Sequence, residues 1–176
     1  VVFGATFFAV NNGIETFQKN DQTSNELIQV ITPSKEKVSR LRLAIKESKQ
    51  LATQWVSDQS RNDVTAKQDL KNLIHQNIPA ILKEIEALSP EWTNKQDAIN
   101  FKNAKGKIDT LFVMYNDIMN LLPDIASYDD AFLYLQAKFY VDQNGDVPVL
   151  AGKIDQNLNT LQNSLEKQEE DALALV

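Results

Sequence analysis

Residues 101–122 read FKNAKGKIDTLFVMYNDIMNLL. The residues Phe101, Ala104, Ile108, Leu111, Tyr115, Ile118 and Leu122 are separated by alternating steps of three and four. At 3.6 residues per turn this spacing puts all seven on one stripe of a helix, and such a stripe has to be buried against comparable surfaces. The same pattern recurs outward along the chain. Val147, Ala151, Ile154, Leu158, Leu161, Leu165, Ala172 and Leu175 share one phase, with only Gln168 polar between them. A third stripe reads Ile74, Ile78, Ile81, Ile85 and Leu88. Toward the N-terminus, Phe7, Val10, Ile14 and Phe17 give way to polar Asp21 and Ser24. The stripe resumes at Ile28, Ile31 and Val38 and runs on through Leu41, Ile45, Ala52 and Trp55. No segment alternates with period two, so no sheet is expected.

The breaks between stripes are equally readable. Residues 57–63 (SDQSRND) are polar and turn-rich, and Pro123-Asp124 follows the 101–122 stripe. Asp142-Gln143-Asn144-Gly145-Asp146 is a loop signal closed by Pro148. Ser89-Pro90-Glu91 reads as a helix start, with a capping serine, proline at the first position and an acid in the first turn. Two prolines fall inside stripes. Pro33 leaves the phase from Phe7 to Val38 unbroken and has no loop residues beside it, which predicts one long helix continuing through it, straight or kinked; Pro79 is expected to bend its helix. Four principal helices are predicted, at 5–57, 64–88, 91–122 and 147–175, with a shorter one at 128–141. Short connections favour antiparallel neighbours, so the expected fold is all-α, an up-down four-helix bundle forming a single domain over 1–176.

Composition narrows the chemistry. The chain of 176 residues has no cysteine, which excludes disulfides, cysteine nucleophiles and thiolate metal sites, and a single histidine, which excludes multi-histidine metal centres. Its net charge of −6 and pI near 4.8, without a basic run, argue against nucleic-acid binding. There is no glycine-rich phosphate loop and no Gly-x-Ser-x-Gly elbow. The expectation is a protein without enzymatic activity, cofactor or metal.

The ends carry the strongest functional signal. Residues 1–10 (VVFGATFFAV) are uncharged and apolar, and no charge occurs before Glu15. They are too few to span a bilayer and lack the features of a signal peptide, so they read as the outer end of a longer apolar segment. Residues 172–176 (ALALV) turn apolar directly after Glu169-Glu170-Asp171. An even number of antiparallel helices brings both ends to the same side, as a domain looped between two membrane spans requires. Acidic rather than basic flanks suit the non-cytoplasmic side.

A long first helix entered from an apolar run, a polar-rich bundle and a last heptad helix running to an apolar end resemble the extracytoplasmic sensor domains of bacterial chemoreceptors and sensor histidine kinases. The resemblance spans the whole chain and is architectural, with no sequence motif behind it. It implies a homodimer in a bacterial inner membrane, with this domain facing the periplasm or cell exterior. It also implies an unidentified small ligand or protein partner, and a signal carried along the first and last helices. Two other readings compete: a soluble intracellular helical scaffold or adaptor, and a phosphotransfer module built on His75.

His75 is followed by Gln76-Asn77-Ile78-Pro79, without the lysine and glycine usual beside a phosphoryl-accepting histidine, and reads as a partly exposed helix residue. Asp142, Asn144 and Asp146 alternate like the start of a calcium loop, but Val147 and Lys153 stand where glycine and glutamate are needed. Arg40, Arg42 and Lys46 could hold an anion, since arginine presents a planar fork to carboxylates. The plainer reading is a solvated face paired with Glu36 or Glu47. Trp55, Trp92, Tyr128, Phe132, Tyr134, Phe139 and Tyr140 gather near helix ends, where they close the core or line a pocket; closing the core is the favoured role. The ligand-contacting candidates are therefore Arg40, Arg42, Tyr128 and Tyr134.

Overall fold

The computed structural model describes residues 27–174, and among these the chain is helical, with no strand. The helices are α1 (Thr32–Val56), α2 (Val64–Asn72), α3 (Ile78–Leu88), α4 (Lys95–Leu121), α5 (Ala131–Val141) and α6 (Asp146–Leu173). Since α2 and α3 are one rod joined by the π-turn Leu73–Asn77, four principal helices result, with α5 as the short extra one. The part of the first helix predicted before residue 27, including Phe7 and Val10, lies outside the described residues, as do the apolar residues before it and Leu175.

Both in-stripe prolines follow the same device. A π-turn, Leu27–Ile31, precedes Pro33, and the π-turn Leu73–Asn77 precedes Pro79; each proline then occupies the first turn of the α-segment that follows. Proline lacks the N–H and its ring collides with the carbonyl four residues back. A turn widened by one residue relieves that collision without ending the helix. The backbone is helical at Ile31 and at Asn77, so neither proline breaks its rod.

The start of α4 differs from expectation. Ser89–Glu91 form a separate 3₁₀ turn, and Trp92 is extended. Asn94 caps α4 instead, its side chain accepting from the Gln96 N–H at 3.0 Å. Proline at position 90 serves the turn, and the capping amide four residues later is the better acceptor for an unpaired helix-end donor. The other starts follow the usual chemistry: Asp63 accepts from the Ala66 N–H, and Asp130 from those of Phe132 and Leu133.

The core is one continuous cluster from Ile31 to Leu165. All seven residues of the 101–122 stripe are buried, as are Val147, Ala151, Ile154, Leu158, Leu161 and Leu165. Each Val, Leu, Ile or Phe among them contributes about 1.5–3 kcal/mol when taken from water. The rods are tied by polar contacts as well. Arg42 on α1 meets Asp155 (3.0 Å) and Gln162 (2.8 Å) on α6, while Lys35 and Thr32 meet Glu169. Ser48 on α1 hydrogen-bonds Tyr115 on α4 at 2.9 Å. The two indoles mark opposite ends of the molecule: Trp92 Nε1 donates to Ser34 Oγ (2.8 Å), and Trp55 Nε1 donates to the Leu122 carbonyl (3.0 Å).

Among the described residues no helix is long and apolar enough to cross a membrane.

Candidate functional site

The arginines and tyrosines singled out in the sequence do not converge. Thirteen residues of helix separate Arg42 from Trp55, about 20 Å at 1.5 Å per residue, and Tyr128 donates its hydroxyl to the Trp55 carbonyl. Arg42 is half-buried and already engaged by Asp155 and Gln162. Its Asp155 partner is held below the usual carboxylate range, mainly by that hydrogen bond. Arg40 is exposed and lies 3.8 Å from Glu84 across the groove between α1 and α3, which Glu47 also lines. Glu84 is shared with Lys37 at 2.8 Å, so the Arg40 guanidinium sits beside a carboxylate already engaged from the same helix rather than in a pocket shaped for an anion. The pairing expected with Glu36 or Glu47 on the same helix is replaced by pairing to neighbouring helices, because those side chains reach across the seam.

Tyr128 is buried and closes the core end over Trp55, as the favoured reading of the aromatics has it. Its hydroxyl pKa is pushed up to about 12, chiefly by burial and then by the neighbouring Tyr134, whose ring lies tilted against it at 6.4 Å. Lysines from α2 cover this aromatic end: Lys67 Nζ sits 4.8 Å from the Tyr128 ring and 5.2 Å from the Trp55 ring, and Lys71 sits 5.6 Å from Trp55. Burial, followed by the charge of Lys71, lowers the pKa of Lys67. This contact is not legible in the sequence, since a lysine on a helix face carries no signal of the ring it will cover.

Phe132 and Phe139 behave differently from the capping aromatics. They are 68% and 71% exposed, and with Leu135 (51%) they form an outward apolar stripe on α5. The opposite face of α5 packs on the bundle through buried Ala137 and half-buried Tyr134, Tyr140 and Val141. Between this helix and the end of α4 lies a surface cleft of about 570 Å³, lined by Asp117, Asn120, Leu121, Gln136, Phe139 and Tyr140. The Tyr140 hydroxyl donates to Asp117 Oδ2 at 3.2 Å. Its pKa is raised by burial first, then by the charge of Asp117 and its hydrogen bond, then by Asp146. Asp117 is the one charged side chain lining the cleft, and among the described residues neither Asp117 nor the nearby Asp146 has a basic partner.

The loop beneath this cleft is a turn: the Gly145 N–H donates to the Asp142 carbonyl at 2.7 Å, and α6 starts at Asp146. Gly145 is needed for closeness, since a Cβ there would collide with the Phe139 and Tyr140 carbonyls. No group of three or more potential metal-ligating side chains occurs among the described residues. His75 is exposed within the π-turn Leu73–Asn77. The chain matches no family model, and no curated protein or solved structure is significantly similar to it.

Proposed function

We propose that this chain is the extracytoplasmic sensing domain of a two-pass signalling protein in a bacterial inner membrane, working as a parallel homodimer. In this reading the rods α1, α2–α3, α4 and α6 form an up-down bundle. The order of the side-chain pairs supports it. Residues 35 and 42 of α1 meet 169 and 155 of α6, in reversed order, whereas Ser34, Ser48 and Trp55 meet Trp92, Tyr115 and Leu122 in the same order.

The observation that carries the proposal is the meeting of the first described turn with the last helix. Lys35 is ion-paired with Glu169, and Thr32 Oγ1 donates to the same carboxylate at 3.0 Å. The first described turn of α1 and the last turns of α6 thus share one end, and the α4–α5 cleft lies toward the other, roughly 25 Å away by helix rise, since Ser48 and Trp55 of α1 meet Tyr115 and Leu122 on either side of its α4 wall. A ligand held far from the membrane could bias two packings of α1 against α6 only by binding one more tightly than the other. That bias would reach the membrane as a small slide or rotation of packed helices.

Topology in the full-length protein tests this. A cysteine placed at Gln143, in the exposed α5–α6 loop, is expected to react with a membrane-impermeant maleimide in cells whose inner membrane is intact. Labelling only after the inner membrane is broken would put the domain on the cytoplasmic side and overturn the proposal.

A further inference from the structure

We infer that the cleft between α4 and α5 binds a small organic ammonium ion bearing an apolar arm, with the charge at Asp117 and the arm on the Phe139 ring. The inference deepens the sensing role by naming a ligand class. Four observations converge on it. The half-buried Asp117 carboxylate has no basic partner among the described residues, although salt bridges elsewhere engage Glu84, Glu86, Asp155 and Glu169. Asp117 is the one charged side chain among the residues lining the cleft, so its charge favours a cation there and opposes a phosphate or carboxylate. Phe139 is 71% exposed at the cleft wall, offering a ring face that attracts cations and apolar groups alike. The volume of about 570 Å³ suits a small molecule rather than a bare metal ion, and the amides of Asn120 and Gln136 supply carbonyl oxygens for ammonium hydrogens.

A hard divalent cation fits less well, since it wants several oxygen ligands and Asp117 is the only carboxylate lining the cleft. A purely apolar occupant would leave the Asp117 charge without compensation. It would also make no use of the two amides.

The test uses the 176-residue chain and a matched pair of probes, phenethylamine and 2-phenylethanol, which differ in the presence of a positive charge. Heteronuclear NMR titration is expected to move the side-chain amides of Asn120 and Gln136 and the Phe139 ring with the amine. The alcohol should bind at least about fivefold more weakly. Asp117→Asn should weaken the amine by a similar factor, and Phe139→Ala should also weaken it. Gln136→Lys, at an exposed position that leaves the core untouched, should abolish binding by placing a fixed cation in the cleft. Arg40→Ala, in the separate groove, should change nothing. Equal binding of amine and alcohol, shifts confined to other surfaces, or no shift through the low-millimolar range would each overturn the inference. So would a Phe139→Ala variant that alters self-association while leaving amine binding intact, because the exposed stripe would then serve protein contact. These outcomes are independent of the cysteine-labelling result, which bears on topology alone.

Discussion

Asp97 is 1% exposed, in the first turn of α4, and its two oxygens fare differently. Oδ2 accepts from Ser164 Oγ at 3.0 Å and from Gln168 Nε2 at 2.8 Å, while Oδ1 accepts no hydrogen bond from the described residues. In the sequence Gln168 looks like a flaw in an apolar stripe; its position there is what lets it reach a buried carboxylate on α4. Gln168→Leu would mend the stripe by pattern and leave Oδ2 with a single donor. It is expected to destabilise the protein by about 1–3 kcal/mol, read from urea denaturation, because a buried acceptor loses a partner. An unchanged or higher midpoint would show that the contact contributes nothing. The tyrosines give a second prediction at this scale. Burial raises the hydroxyl pKa of both Tyr115 and Tyr128, to about 12 for Tyr128, from an ordinary 10.0. A folded-state pKa above the unfolded one gives stability that is complete below pH 10 and is lost as pH rises through the folded value. Tyrosinate absorbance should therefore show Tyr115 and Tyr128, with Tyr140 also raised, ionising above the ordinary range, the buried pair as the fold is lost at alkaline pH. Four tyrosines titrating together near pH 10 in the folded chain would contradict the burial.

At the scale of elements, the stripes were legible because each long helix has one apolar face and a polar remainder. Leu111, Ile118, Ile154 and Leu161 stand mid-stripe and are fully buried. Leu161→Ala or Leu111→Ala should cost about 2–5 kcal/mol in chemical denaturation, since the close-packed neighbours cannot collapse into the space left. A loss below 1 kcal/mol for both would mean a core loose enough to refill it. α5 was not legible in the same way. Phe132, Leu133, Tyr134, Leu135, Ala137, Phe139, Tyr140 and Val141 are apolar on every side, so periodicity cannot tell the packed face from the free one. Only the placement of α5 against α4, α6 and α1 turns Ala137 inward and Phe139 outward. The cleft inherits that opacity. Asp117 and Asn120 read as the polar side of the 101–122 stripe until α5 is laid beside them. The π-turns were hidden for a related reason: proline announces strain in a helix, but whether it is relieved by a kink, a break or one extra residue depends on the rest of the rod.

For the whole molecule, the question is whether one core makes one cooperative unit. The buried cluster runs without interruption from the Ser34–Trp92 end to the Trp55–Leu122 end, and the chain of hydrogen-bonded pairs between α1 and α4 follows it. At the same time the α1–α6 seam depends on charges. Glu169 is held below its ordinary pKa mainly by its hydrogen bond to Lys35, and Asp155 by its bond to Arg42. A depressed folded-state pKa gives stability that is present above the unfolded value and fades as pH falls through the folded one. As pH falls below the ordinary carboxylate range and through the depressed folded values, the seam loses these ties while the apolar core remains. The protein has only two tryptophans, one at each end, so each end can be followed separately. With Trp92→Phe the fluorescence reports the Trp55 end, and with Trp55→Phe it reports the Trp92 end. At neutral pH the fluorescence and far-ultraviolet circular dichroism midpoints within each variant should coincide, as two-state unfolding of one core demands. Comparing probes inside one variant removes the stability each substitution itself costs. Fluorescence at the Trp92 end changing well before the helical signal would show that the end where α1 meets α6 opens on its own. The bundle would then be two stability units, and a packing change begun at the α4–α5 cleft could not be carried rigidly along α1 and α6.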